Sequence, residues 1–281
     1  MVFSSTFPQK IATTSLVYIN EPVAVMREHP REESKVVSQA IFSEEIRVEK
    51  VVDDWSYITS SDGYSGWVQS MHFIKLEGPY NTSLKVCRLA AHIYGVEDTE
   101  FGPIKTLPYG AKLRVVDTTD PRWIKIAMPD GKECFIQRGD VTPELKVDTK
   151  KDLVEFSKQF LGLPYTWGGR SSFGYDCSGF VQMLYNQINV NLQRDARQQV
   201  LDPRFQTIAL DKLEPGDLIF FGKSAEKILH VGMFIGNGQL IQATVRELRP
   251  WLRISNLSDL EWSGHRDAFY PYRIARQLRD V

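Results

Sequence analysis

Part of this chain is written twice. Trp55, Ile58, Asp62-Gly63, Trp67, Val68 and Gln69 recur as Trp123, Ile126, Asp130-Gly131, Phe135, Ile136 and Gln137, each 68 positions further on. An offset held across two apolar runs and the Asp-Gly between them preserves both strands of a hairpin and its turn. That is the mark of a duplicated unit. Ile46-Arg47-Val48 recurs as Leu113-Arg114-Val115, one residue out of step. The remaining apolar runs between Leu16 and Leu76, such as Val23–Met26 and Val36-Val37, are short, β-branched and separated by polar turns. Short strands at this spacing close into a small all-β barrel. Cys134 falls where the first copy has Gly66, so it and Cys87 read as structural thiols.

Beyond Thr142-Pro143-Glu144 the pattern changes. Asp152 opens a helix carrying Leu153, Phe156, Phe160 and Leu161 on one face, stopped by Gly162 and Pro164. A loop punctuated by Pro164, Gly168, Gly169 and Gly174 then leads to Asp176-Cys177-Ser178. Phe180, Val181, Leu184 and Ile188 follow at helical spacing, so Cys177 stands at a helix N-terminus. Unpaired N–H groups and the positive end of the helix dipole favour thiolate there, lowering a pKa that is ordinarily about 8.5. The competing reading, a buried apolar cysteine, fits poorly with polar neighbours on both sides. Asp176 is a natural N-cap.

A nucleophilic cysteine needs a base, and the base needs an orienting group. Asn191 to Leu210 is polar and irregular, and Arg194, Asp195 and Arg197 read as a charged loop. Asp217–Phe221 is a strand. His230–Gly236 and Gln239–Thr244 alternate as a hairpin around Gly236-Asn237-Gly238. If that loop has three residues, 230 pairs with 244 and Gln242 becomes the diagonal neighbour of His230 on the same face. A two-residue Asn-Gly loop sends Gln242 to the opposite face. The sequence leaves Gln242 open between orienting amide and exposed strand residue. A helix-borne cysteine followed by an antiparallel sheet makes this segment α+β.

Length and composition bound the function. At 281 residues there is room for two or three cores, and a net charge of −1 excludes a nucleic-acid surface. No apolar run approaches the roughly 18 residues of a membrane span. Met1–Asn20 lacks a basic start followed by an apolar run, so no secretory signal is visible and a cytoplasmic protein is expected, or an exported one without its leader. Three cysteines with no Cys-x-x-Cys and no His/Cys cluster predict no disulfide framework, no metal and no cofactor.

Pro164-Tyr165-x-Trp167-Gly168-Gly169, Asp176-Cys177-Ser178-Gly179-Phe180, Pro215-Gly216-Asp217-Leu218 and His230-Val231-Gly232-x-x-x-Gly236 together resemble the NlpC-type cysteine peptidases of bacterial cell-wall metabolism. The doubled unit resembles bacterial SH3-like barrels, through Asp62-Gly63-x-x-Gly66-Trp67-Val68 above all. The expected fold is therefore multi-domain, with two small all-β SH3-like barrels (1–77, with residues 1–15 as a lead-in, and 78–145) followed by an α+β papain-like domain (146–281). The resemblance implies Cys177 as nucleophile, His230 as base and cleavage of murein stem peptides after D-glutamate. Close relatives commonly carry histidine at the third catalytic position, where this chain has Gln242.

Two barrels ahead of such a domain resemble the YkfC-type enzymes that recycle murein peptides. This implies substrates with a free N-terminal L-Ala, and release of L-Ala-γ-D-Glu by a monomer whose partner is the murein peptide. Tyr165, Asp176 and Ser178 match the family's amine pocket, joined by Tyr64 and Glu28 of the first barrel. The alternatives are an exported wall-remodelling endopeptidase and a weakly active or non-catalytic binder of wall fragments.

Overall fold

The computed structural model describes residues 16–144 and 147–279. The lead-in of residues 1–15, the expected boundary at 145/146 and the last two residues lie outside them. The first sheet has seven antiparallel strands: β1 (Leu16–Ile19), β2 (Val23–Arg27), β3 (Val36–Ile41), β4 (Glu45–Val52), β5 (Trp55–Thr59), β6 (Ser65–Gln69) and β7 (Phe73–Leu76), in the order β3-β2-β6-β5-β4-β1-β7. The second comprises β8 (Leu84–Val86), β9 (Ala90–Tyr94), β10 (Lys105–Pro108), β11 (Lys112–Asp117), β12 (Trp123–Ala127), β13 (Glu133–Gln137) and β14 (Val141–Thr142), in the order β10-β9-β13-β12-β11-β8-β14. Strand for strand, the second order repeats the first.

The repeated hairpin explains why the offset is constant. In the first copy Gly63, at φ +81°, donates to the Ser60 carbonyl, and Ser60 N–H donates to the Tyr64 carbonyl. In the second Gly131, at φ +82°, donates to Met128, and Met128 N–H to Lys132. Both turns need the left-handed residue that glycine supplies without strain. Ile58 pairs with Gly66 and Ile126 with Cys134, so Cys134 does stand in the place of Gly66, buried in its sheet's core.

In the remainder, α1 (Lys150–Lys158) starts earlier than expected. Thr149 is its cap and receives the Asp152 N–H at 3.1 Å, so Asp152 sits inside the first turn. Leu161 lies past the helix end and is exposed. A short pair, β15 (Arg170–Ser171) and β16 (Gly174–Tyr175), precedes α2 (Cys177–Asn186). Then come α3 (Ala196–Gln199) and strands β17 (Phe205–Ile208), β18 (Leu218–Ser224), β19 (Lys227–Gly236), β20 (Gln239–Thr244), β21 (Trp251–Asn256) and β22 (Tyr272–Leu278), ordered β17-β22-β18-β19-β20-β21. Alternation along β18 sends Leu218 and Phe220 to the face that packs Phe180, Val181 and Leu184 of α2. Ile219 and Phe221 go to the other face, under Trp262 and Tyr270.

The parts interlock through buried side chains. Phe42 of the first sheet sits in the second sheet's core. Tyr109, between β10 and β11, stacks edge-on against Phe160, and its N–H donates to Ser172 Oγ at 2.9 Å. Strand β3 lies against the loop before Cys177. There Trp167 Nε1 donates to the Val36 carbonyl at 2.9 Å, and Arg170 reaches Glu44 and Asp62, both at 3.3 Å.

Candidate active site

Cys177 is the first residue of α2, and its position follows from the cap. Asp176, extended at φ −90° and ψ 178°, accepts the Gly179 N–H at 2.7 Å and so stops the helix one residue before the sulfur. A Cβ on Gly179 would lie 2.1 Å from the Gly169 carbonyl oxygen, so only glycine lets the helix start dock on this loop. The sulfur opens into a cavity of about 670 Å³. His230 opens into the same cavity from β19. Cysteine and histidine, 53 positions apart, therefore share one cleft.

His230 Nε2 lies 2.5 Å from Gln242 Oε1, and Gln242 Nε2 donates to Ser255 Oγ at 3.0 Å. An amide oxygen can only accept, so His230 carries its proton on Nε2 and keeps the Nδ1 lone pair free. Gln242 is fully buried, which disposes of the exposed-strand reading. The register that brings it there arises differently from the expected three-residue loop. Gly236 pairs with Gln239 across a two-residue Asn237-Gly238 turn, both at positive φ (52° and 68°). A bulge then shifts the ladder so that Phe234 pairs with Leu240. The extra residue restores the face that the short turn would have reversed.

Phe221, Trp262 and Tyr270 surround the imidazole, with Tyr270 stacked on it at 5.7 Å between centroids. This burial pushes His230 down to about 4, against the support of the Gln242 hydrogen bond. Burial, reinforced by the Asp176 charge, likewise pushes the Cys177 thiol up to about 12. Burial thus opposes the lowering expected from the helix terminus and its backbone N–H groups. Burial of both groups favours thiol and neutral imidazole as the resting pair.

Asp176, expected as an amine ligand, lines the cavity and is also bonded within the chain. Its oxygens accept from Gly168 N–H (3.0 Å), Gly179 N–H (2.7 Å), Ser178 Oγ (3.3 Å) and Arg194 (2.6 and 3.0 Å). Those five donors hold the carboxylate ionised and fix its orientation at the head of the helix. Arg194, assigned from sequence to an irregular charged loop, is almost wholly buried and also reaches Ser178 Oγ (2.9 Å) and Ser38 Oγ of β3 (3.1 Å). Sequence reasoning missed it. The available signal was Arg-Asp directly ahead of a short helix, since Asp195 caps α3.

Tyr165, Ser178 and Tyr64 all line the cavity. Tyr64 joins Lys35, Val36 and Val37 in a wall supplied by the first sheet, with Asp195 and Arg197 beside it. Glu28 does not line the cavity. It lies exposed past the end of β2, and its backbone N–H closes the 28–35 loop onto Lys35. The cavity's carboxylates are instead Asp176 and Asp195, and burial, reinforced by the Asp195 charge, raises the Tyr64 phenol.

A helix-capped cysteine, a sheet-borne histidine and a buried amide in one cleft define a cysteine peptidase, and the chain belongs to the NlpC/P60 family. The NlpC/P60 match covers residues 162–268, and a bacterial dipeptidyl-peptidase SH3 domain matches residues 26–73. Among individual proteins, the chain is 30% identical over 226 residues to the gamma-D-glutamyl-L-lysine dipeptidyl-peptidase of Bacillus subtilis (strain 168), covering 74% of this chain and 72% of that one. It is 24% identical to dipeptidyl-peptidase 6 of Lysinibacillus sphaericus, over 75% of this chain and 81% of the relative. The fold matches the crystal structure of an NlpC/P60 family protein from Bacillus cereus ATCC 10987 with a TM-score of 0.78, at 22% identity, covering 94% of this chain and 99% of the other.

Proposed function

We propose that this peptidase hydrolyses the γ-D-glutamyl–diamino acid bond of murein stem peptides that begin with a free L-Ala, releasing L-Ala-γ-D-Glu. One observation carries the reading: residues of the first sheet wall the cavity that holds Cys177 and His230. A groove shut at one end has room for a fixed number of residues before the scissile bond. Tyr64, Asp195 and Ser178 offer hydroxyl and carboxylate acceptors there, the set that a primary ammonium requires.

In the proposed chemistry the Cys177 proton passes to His230 Nδ1 as sulfur attacks the glutamyl carbonyl. The Cys177 N–H at the start of α2 is available to the developing oxyanion. Collapse expels the diamino acid's amine, which takes the proton from Nδ1 and leaves a thioester. Water then gives a proton to His230, its hydroxide adds to the carbonyl, and sulfur departs with that proton. Gln242 serves as the third member by holding Nε2–H.

The chain reads as two SH3-like barrels, 1–77 and 78–145, and an α+β papain-like domain, 146–281, acting as a monomer on soluble fragments in the cytoplasm. Among the described residues no helix is long and apolar enough to cross a membrane. The buried Gln242–His230 bond favours an active enzyme over a binder whose catalytic residues have decayed. The test is L-Ala-γ-D-Glu-L-Lys beside its N-acetylated form. Cleavage of the free peptide alone supports the reading, equal cleavage removes the amine pocket, and cleavage of neither removes the activity.

A further inference from the structure

The cavity has a second wall, away from the first sheet, and its charged member is Arg246 in the turn between β20 and β21. Tyr64 feels Asp176, Arg194, Asp195 and Arg197, whereas Tyr270 feels Cys177, Arg246 and Glu261. The two tyrosines of the cavity thus face different nearest charges. If the amino end of the substrate lies against the first sheet, the leaving residue lies against Arg246.

Arg246 is held in place from three directions. Its Nε donates to Glu261, its guanidinium plane lies over the Phe269 ring at 3.8 Å from the centroid, and its carbonyl accepts from Arg253 at 3.2 Å. The turn itself is strained. Glu247 and Leu248 both occupy left-handed conformations (φ 58° and 57°), and Glu247 is tied to Arg253 at 2.9 Å. Consecutive non-glycine residues in that region need surrounding structure to hold them, and such strain concentrates at ligand sites. Arg246 Nη1 and Nη2 have no hydrogen-bond partner among the described residues, and the side chain is 30% exposed. A guanidinium fixed through Nε with its outer fork free fits a carboxylate or phosphate bound bidentately, and a peptide substrate offers the carboxylate.

We infer that Arg246 is the specificity-determining residue for a carboxylate on the residue that leaves Cys177. The inference rests on the proposed dipeptidyl-peptidase activity and names the substrate class within it. Two sources supply that chemistry: the terminal α-carboxylate of a tripeptide ending in lysine, or the side-chain carboxylate of a diamino dicarboxylic acid. Among the described residues no carboxylate lines this wall to favour a lysine ammonium, and Glu261, outside the lining, is engaged by Arg246.

Four substrates separate the sources: L-Ala-γ-D-Glu-L-Lys, its C-terminal amide, L-Ala-γ-D-Glu-2,6-diaminopimelate, and that peptide amidated at the carboxyl nearer the scissile bond. The wild type should cleave the lysine amide, which alone has no carboxylate there, at least tenfold less efficiently in kcat/KM than the best of the others. Arg246→Gln should erase that gap by lowering only the substrates whose carboxylate Arg246 binds, and Arg246→Lys should restore part of it. A preference for lysine acid over lysine amide identifies the α-carboxylate as the ligand. Retained cleavage of the amidated diaminopimelate peptide identifies the side-chain carboxylate. The inference is overturned if the wild type treats all four alike, or if Arg246→Gln lowers all four by one factor, as a merely structural arginine would. Cleavage of none by the wild type overturns the dipeptidyl-peptidase reading and this inference with it.

Discussion

At the residue scale, the chemistry turns on two groups displaced away from charge. His230 is pushed down to about 4 and Cys177 up to about 12, both chiefly by burial. The neutral pair persists between those values, so kcat/KM should stay flat from about pH 5 to about pH 9, with its acid limb near 4. A bell centred near pH 6 would instead indicate a preformed thiolate–imidazolium pair. Stability carries the same signature. His230 titrates lower in the folded chain than its ordinary 6.5, so its contribution is complete above pH 6.5 and is lost as pH falls towards 4, on the order of 3 kcal/mol in all. Cys177 titrates higher when folded, so its contribution is complete below about pH 8.5 and is lost as pH rises towards 12. Denaturant midpoints against pH should therefore show a shoulder between about 6.5 and 8.5. His230→Gln should flatten the acid side and Cys177→Ser the alkaline side. Replacing Gln242 by Leu removes the acceptor that fixes the tautomer and should lower kcat about a hundredfold with little change in KM. Gln242→Glu places a negative charge against the ring and should move the acid limb of kcat/KM upward.

Elements decide whether those residues meet. The Asn237-Gly238 turn and its bulge bring Gln242 under His230, so deleting Ile235 should turn Gln242 to the other face and abolish turnover. Far-UV circular dichroism would show whether the sheet survives the deletion. Helix α2 depends on the Asp176–Arg194 pair, both of whose charges are buried. Arg194→Met would leave Asp176 uncompensated and should cost about 3–5 kcal/mol, seen as a fall on the order of 10 °C in the domain's unfolding midpoint. These cases also mark where a sequence can be read. The 68-residue offset revealed two equivalent sheets because a hairpin and its Asp-Gly turn are local. Cys177, His230 and Gln242 were legible because helix caps and strand alternation are local rules too. Arg194 was not, because its value lies in Asp176 and Ser38, 18 and 156 positions away. Glu28 was misplaced for a related reason, since the chain leaves β2 just before it and turns the side chain out to solvent. At the thiol only half of the balance is legible, because the helix terminus is visible in sequence and the burial that opposes it is not.

For the whole molecule, the question is what the first sheet does to a cleft that already holds its chemistry. Its grip on the catalytic part centres on Arg170, whose guanidinium lies between Glu44 and Asp62 and whose Nη1 donates to the Gln39 carbonyl at 2.7 Å. Gln182 of α2 donates to Asp62 at 3.1 Å from the same side, and Gly168 leaves no room for a Cβ, which would fall 2.8 Å from Val36 Cγ1. None of these contacts touches Cys177, His230 or Gln242. Loosening the clamp should therefore open the closed end of the groove while the reacting groups stay assembled. Arg170→Gln leaves two partly buried carboxylates without their shared cation, and hydrogen exchange in β3 should rise. The preference for a free over an N-acetylated amino terminus should fall about tenfold, while alkylation of Cys177 by iodoacetamide keeps its wild-type rate. A variant with faster β3 exchange and an undiminished preference would mean that the catalytic part alone selects the free amine, leaving the first sheet a structural support. A collapse of preference and alkylation together would mean that the sheet holds the catalytic cleft itself in shape. The interlocking at Phe42 and Tyr109 argues for the first, separable outcome, because those anchors remain in place to hold the three parts together when the clamp is cut.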